Sequence, residues 1–419
     1  MSSSYRKPAP VQGGRRVTRR FAQGLVALAL LAGAQAASAQ AWIFDPRVEV
    51  MAIYNDNYRL TDQPDQEIDV TGGGIDAQVT ARKQNASSLF EFTPRVTSNF
   101  FPDASSEEST DYFADLKAEK KTQRTRTGIG ARFADESVVT SELLPADFPG
   151  VGLGDPVSGD AGRTSVRNRR QLAALTPTFD FDWTERRHLT LEAHWVDVTY
   201  ENDSVFEQVG YTDIGGGAGM VFDLTQRSAL SVDVLASRYS PDNDTEDTTS
   251  TGLVAEWRMA PSQLTSFYFR LGGNRSERDA AGSTPSFSTS SFNGGVGVAW
   301  NFQVTRVLID ALRTTVPSSQ GEVVDRDELR VRLTRSFSPR VAGFVALRGI
   351  KTSGVDDTAV SVQGRKYYTG KTGFEWRTSR TFSLEGAYEY KWQEYELEPN
   401  KAKSNGVTLS LVYEPRRIN

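Results

Sequence analysis

The sequence contains no cysteine and only two histidines. The first absence excludes disulfides, thiolate metal sites and a lipoprotein anchor on a mature N-terminal cysteine. After residue 39 no stretch approaches the roughly 20 consecutive apolar residues of a membrane helix. Helical periodicity is scarce there as well. No Gly-x-Ser-x-Gly or His-x-x-x-His pattern occurs in the 419 residues, and neither acidic run, 103–111 nor 242–247, has the spacing of a calcium loop. No cofactor is expected and the chain does not read as an enzyme. His194 falls mid-strand and reads as lining an interior; a hydrolase built on it ranks behind every other reading. The acidic runs read as solvated loop.

The N-terminus carries Arg15, Arg16, Arg19 and Arg20, the short apolar run Leu25 to Leu31, and small residues at Ala37 and Ala39. That order is a secretory signal peptide with cleavage after residue 39. The segment holds six basic and no acidic residues, so its removal takes the net charge from −5 to −11. An acidic exported chain argues against nucleic acid as a partner.

What fills the remainder is alternation of period two. Phe382, Leu384, Gly386, Tyr388, Tyr390 and Trp392 interleave with Ser383, Glu385, Ala387, Glu389 and Lys391. Leu329, Val331 and Leu333 interleave with Glu328, Arg330 and Arg332. One side is mostly apolar, the other mostly charged, over runs of roughly ten or more residues. That is the length of a tilted strand crossing a bilayer rather than the five or six of a soluble sandwich. The composition of such a barrel looks soluble because only every second residue faces lipid.

The connections sort by parity. After even-numbered strands they are tight, as at 184–186, 225–227 and 378–380; after odd-numbered strands they are longer and polar, as at 240–248 and 274–287. Short turns on one side and long loops on the other, with both ends on the short-turn side, predict an all-β, antiparallel up-and-down transmembrane β-barrel of about 18 strands, 16 being the smaller count left open, with no plug domain. Aromatics recur just before the tight turns (Trp183, Trp257, Trp300, Trp376), as an interfacial girdle requires. The repeat of about forty residues also suits a β-propeller, but a blade packs four short strands into that length where two long ones stand here. The expected organisation is a signal peptide at 1–39, a short periplasmic segment at 40–46, an outer-membrane barrel at 47–414 and a periplasmic tail at 415–419. The partners of such a barrel are outer-membrane lipid, lipopolysaccharide and the barrel-assembly machinery, whose insertion signal is commonly a terminal aromatic strand; here Tyr413 is followed by a further Glu414 to Asn419.

The longest connection, Asp135 to Arg170, is the third outer loop. If it folds into the lumen, Asp147, Asp155 and Asp160 would oppose wall arginines such as Arg330, Arg332 and Arg365, setting a transverse field. The alternative is an ordinary surface loop. Tyr268, Arg270, Glu385, Glu389 and Lys391 are further candidates on the inward face.

The opening Trp42-Ile43-Phe44-Asp45-Pro46-Arg47, the stretch Tyr54 to Leu60, and the block Arg163 to Tyr200 with its Thr176-Pro177 and aromatic turn resemble the beta-barrel porin 2 family. Members of that family are often associated with exopolysaccharide operons. The resemblance therefore implies a role in moving a surface polysaccharide, with polysaccharide-export components as partners. A general diffusion porin and a non-conducting structural barrel plugged by its own loops are the other expectations.

Overall fold

The structure, a computed structural model, describes residues 42–143, 167–202, 208–242, 247–278, 286–355, 364–396 and 400–415. The expected signal peptide, the loop acids Asp147, Asp155 and Asp160, and the end of the tail lie outside the described residues.

From Ile43 onward the chain forms eighteen strands: β1 (Ile43–Asn55), β2 (Val70–Gln84), β3 (Ser88–Phe100), β4 (Ser109–Lys121), β5 (Thr125–Ser137), β6 (Arg169–Thr184), β7 (Arg187–Tyr200), β8 (Tyr211–Thr225), β9 (Ser228–Pro241), β10 (Thr248–Met259), β11 (Thr265–Arg278), β12 (Phe287–Asn301), β13 (Thr305–Pro317), β14 (Val323–Ser336), β15 (Val341–Gly354), β16 (Arg365–Arg377), β17 (Phe382–Tyr395) and β18 (Lys401–Tyr413). Each pairs antiparallel with its sequence neighbour, and β18 pairs with β1 to close the sheet. The fold is the expected up-and-down barrel. Closure leaves no strand edge, which is what permits a sheet to stand in hydrocarbon.

The parity of the connections holds for most of them, although 318–322 on the long side, at five residues, is no longer than 260–264 on the tight side. The segments 85–87, 122–124, 185–186, 226–227, 260–264, 302–304, 337–340 and 378–381 are tight, whereas 56–69, 138–168 and 355–364 are long. The barrel starts earlier than expected, at Ile43 rather than residue 47. Pro46 lies inside β1 and pairs with Val79 of β2. It is tolerated because β18 reaches only as far as Val48, so Pro46 has a neighbour on one side and its missing N–H leaves no bond unmade.

Outward positions are apolar at mid-height: Val50, Ile75, Val234, Val296, Leu329 and Leu409 are all exposed. In a single chain these are lipid-facing. Aromatics bound the belt at both ends, with Trp183, Phe337 and Trp376 toward the tight turns and Tyr54, Tyr112 and Tyr368 toward the long loops. The buried side chains therefore belong to the lumen.

Candidate functional site: the barrel lumen

Strand alternation assigns the inward face residue by residue, because a side chain in a single-layer wall can be buried only on the lumen side. On β14 the inward positions include Arg326, Glu328, Arg330 and Arg332, since Leu329 among them and Leu333 just after them are exposed on the other face. Arg348 of β15 and Arg365 and Lys371 of β16 continue this basic face.

Most of these cations are held by neighbours on the wall. Glu328 accepts from Arg326 Nη2 at 3.0 Å and from Arg348 Nε at 2.8 Å. Asp310, on β13 directly opposite Arg330, accepts from that guanidinium and from the Tyr268 hydroxyl. Arg365 donates to Gln393 Oε1 at 2.9 Å and lies over the rings of Tyr367 (4.9 Å) and Tyr395 (5.8 Å). Arg270 Nε donates to Glu256 at 2.7 Å, and Lys391 Nζ sits 3.1 Å from Glu389. Burying a charge requires a partner of this kind. Arg332 is only half-buried, with its guanidinium 5.6 Å from the centre of the Phe344 ring. Glu385 also points inward and is half-buried.

The opposite arc, β6 to β9, is acidic. Its inward positions include Asp180, Asp182, Glu192, Asp213, Asp223 and Asp233. His188 bridges two of them, with Nδ1 2.7 Å from Asp182 and Nε2 2.9 Å from Asp223. His194 points inward as expected, its Nε2 2.9 Å from Asp213. Asp180, Asp182 and Asp223 lie toward the tight-turn mouth, Glu192 and Asp233 near mid-height and Asp213 toward the long-loop mouth; Arg326 and Arg365 lie toward the long-loop mouth, with Arg330, Arg332 and Arg348 near mid-height.

The outer half of the lumen is occupied by loops. In segment 56–69, Leu60 is fully buried and packs in one cluster with Leu143, Ile350, Tyr367 and Ala402. Its carbonyl accepts from Gln393 Nε2 of β17. Leu60 is the one described non-glycine residue with positive φ, 54°, a conformation that persists where surrounding contacts outweigh its cost. Leu143 comes from the opposite side of the barrel. It follows the short helix α1 (Val138–Glu142), whose N-cap Ser137 accepts from Thr140 N at 3.3 Å and whose first turn is tied to Asp111. The described start of the third outer loop thus leaves β5 and meets side chains of β15, β16 and β18. Arg59 grips Glu107 through two 2.7 Å bonds, joining the first two long loops. Tyr58 beside it stands edge-on to Phe101, and burial pushes its phenol up to about 12, so it stays neutral at physiological pH. A third contribution comes from 318–322. Ser319 O accepts from Val209 N at 2.7 Å and Ser318 O from the Tyr239 hydroxyl at 2.8 Å, so this turn leans over β8 and β9.

The expected wall arginines Arg330, Arg332 and Arg365 are therefore on the lumen face, but two of the three are engaged there by Asp310 and Gln393. The expectation that the acidic runs are solvated loop is corrected for two residues: Glu107 is buried because its loop folds inward onto Arg59, and Asp111 is buried because it is an inward position of β4, bonded to Ser137 and Thr140. The acidic arc on β6 to β9 was not singled out in the sequence. Its signal was present, since Asp180, Asp182, Glu192, Asp213, Asp223 and Asp233 all fall on one parity of their strands.

No protein-family model matches the chain, and no curated protein does, so the resemblance to the beta-barrel porin 2 family stands on the motifs quoted above. Among solved structures the chain is similar to OccK3 (OpdO) of Pseudomonas aeruginosa, with 15% identity, 88% of this chain and 96% of that chain covered, and a TM-score of 0.46. It is similar to OccAB3 of Acinetobacter baumannii, with 11% identity, 88% and 99% covered, and a TM-score of 0.46. It is also similar to OccK2 (OpdF) of Pseudomonas aeruginosa in complex with glucuronate, with 9% identity, 89% and 98% covered, and a TM-score of 0.47. At that distance, what the lumen does has to be read from this chain's own geometry.

Proposed function

We propose that the chain is an outer-membrane diffusion channel for small polar solutes, with charged solutes oriented by the lumen's own field. The observation that carries this reading is the sorting of charge around the wall: a basic face on β14 to β16 against an acidic arc on β6 to β9. Two facing signs of charge in a narrowed, low-dielectric passage orient a dipolar solute and discriminate among ions. The inward-folded segments 56–69 and 138–143 favour a small solute over a polymer. Insertion of the folded protein into planar bilayers tests the reading. Discrete conductance steps are expected, and Arg332→Glu should move the reversal potential in a salt gradient toward cation selectivity. Folded protein that gives no steps would overturn it in favour of a structural barrel.

Secretion of an exopolysaccharide, implied by the family resemblance, is the second reading. The lumen-facing Tyr268 beside Arg270, and the Glu389–Lys391 pair, are the side chains a charged sugar polymer would use. A deletion strain with unchanged surface polysaccharide would count against it.

A further inference from the structure

We infer that the outward face of β15 to β18, at the long-loop rim, is a docking site for a phosphorylated lipid headgroup of the outer leaflet, the phosphoglucosamine end of lipopolysaccharide. The inference rests on the outer-membrane reading above and on a row of charges that the register places side by side. Lys351 of β15 stands directly opposite Lys366 of β16; Lys366 stands opposite Glu394 of β17, and Glu394 opposite Lys401 of β18. One rung nearer the membrane centre, Tyr368 stands opposite Trp392, and Trp392 opposite Lys403. All of these positions alternate with lumen-facing residues, so they point outward.

Four lysines thus stand in a row with Glu394 between two of them, Asp327 opposite Lys351 and Glu396 one rung above Glu394. Glu394 is 3.8 Å from Lys366 and 3.5 Å from Lys401. Among the described residues neither Lys351 nor Lys403 has an ion-pair partner. Asp327, opposite Lys351 on β14, is 3.5 Å from Arg313. The rest of the rim differs. Outward Arg169 is paired with Asp135 and Arg275 with Glu277, both at 2.6 Å, and Arg238 with Asp247. Like charges directly opposite on adjacent strands destabilise a sheet. The Lys351–Lys366 pair is therefore costly in isolation and favourable once an anion lies over it.

Height identifies the anion. Tyr368 and Trp392, with ring centroids 5.2 Å apart, belong to the outer aromatic belt, which sits at the membrane–water boundary. The lysines lie at and just above it, at phosphate level, where Lys401 also covers the Trp392 ring at 5.7 Å. Below them the outward column turns apolar through Leu347, Tyr388, Val407 and Leu409. A ligand with a multiply charged phosphate head and acyl tails matches both halves, and clustered lysines near a leaflet surface recognise such heads.

The test is a binding titration of the full folded protein in detergent with lipopolysaccharide, with the same material stripped of its lipid phosphates, and with phosphatidylglycerol. The wild type should bind intact lipopolysaccharide preferentially. The triple variant Lys351→Gln/Lys366→Gln/Lys403→Gln should bind it on the order of a hundredfold more weakly. The rim control Arg169→Gln/Arg238→Gln/Arg275→Gln should bind like wild type. Heat-modifiable migration verifies that each barrel is folded, and salt titration of the wild type gives a readout independent of mutation. Equal binding by the triple variant, indifference to removal of the phosphates, or equal affinity for phosphatidylglycerol would each overturn the inference. Failure of the outer-membrane reading shows differently: the chain would then fractionate away from the outer membrane, whatever its affinity for lipid.

Discussion

Arg330 and Asp310 face one another across the β13–β14 pair, both wholly inaccessible, with the Tyr268 hydroxyl completing the carboxylate's coordination. Removing one partner leaves a buried charge without compensation. Asp310→Asn should therefore destabilise the barrel by about 3–5 kcal/mol. The double variant Asp310→Asn/Arg330→Met should recover most of that loss. Denaturant titration in lipid vesicles reads both; a single variant as stable as wild type would refute the account of the pair.

The inward loops make a second prediction. Leu60 and Leu143 meet in one apolar cluster from opposite sides of the lumen. Truncating both to Ala removes the contact without altering the wall. Single-channel conductance should rise, and the barrel's unfolding midpoint should fall only slightly because the sheet ladder is untouched. Unchanged conductance would mean that these loops do not set the narrowest point.

Charge sorting makes a third. Glu192→Gln with Asp233→Asn removes two carboxylates from the acidic arc while leaving the basic face intact. The reversal potential in a potassium chloride gradient should shift toward anions, the opposite sign to Arg332→Glu. Shifts of the same sign in the two variants would rule out opposed faces.

A fourth concerns close approach. A Cβ on Gly72 would lie 2.0 Å from the Phe100 carbonyl oxygen, because the chain turns inward there to bury Phe101. Backbone cannot swing aside as a side chain can. Gly72→Ala should displace this end of β3 and cost about 1–3 kcal/mol. At Gly130 the nearest atom would be 3.8 Å away, and Gly130→Ala should be neutral. Thermal loss of the heat-modifiable band compares the two.

The lipid belt gives the fifth. Lys at Leu409, mid-height on β18, should cost about 2–4 kcal/mol, whereas Lys at the rim position Ser290 should cost about 0–1. Equal costs would mean that the outward face does not meet hydrocarbon.

The barrel was legible in the sequence because its two signals are local. Alternation such as Leu329, Val331, Leu333 against Glu328, Arg330, Arg332 fixes which face a residue takes, and the tight turns fix where each strand reverses. The alternation marks β1 only from residue 47, and its earlier start at Ile43, with Pro46 inside it, is acceptable because β18 reaches only to Val48. The partner of Arg330 was within reach: counting outward from the 318–322 turn brings Asp310 opposite it. The loop cluster was not. Leu60 and Leu143 are isolated apolar residues in polar connections, and their destination on β15, β16 and β18 is set by the curvature of the closed sheet, which no local pattern encodes.

Closure itself has a consequence for assembly. Val48 pairs with Tyr413, so the first strand finds its second neighbour only when the last one arrives. Until then the sheet has two raw margins that hydrocarbon cannot satisfy. Those margins must be covered by something other than lipid until β18 closes on β1, so a lesion in β18 should be felt as failure of the whole barrel rather than as loss of one stave.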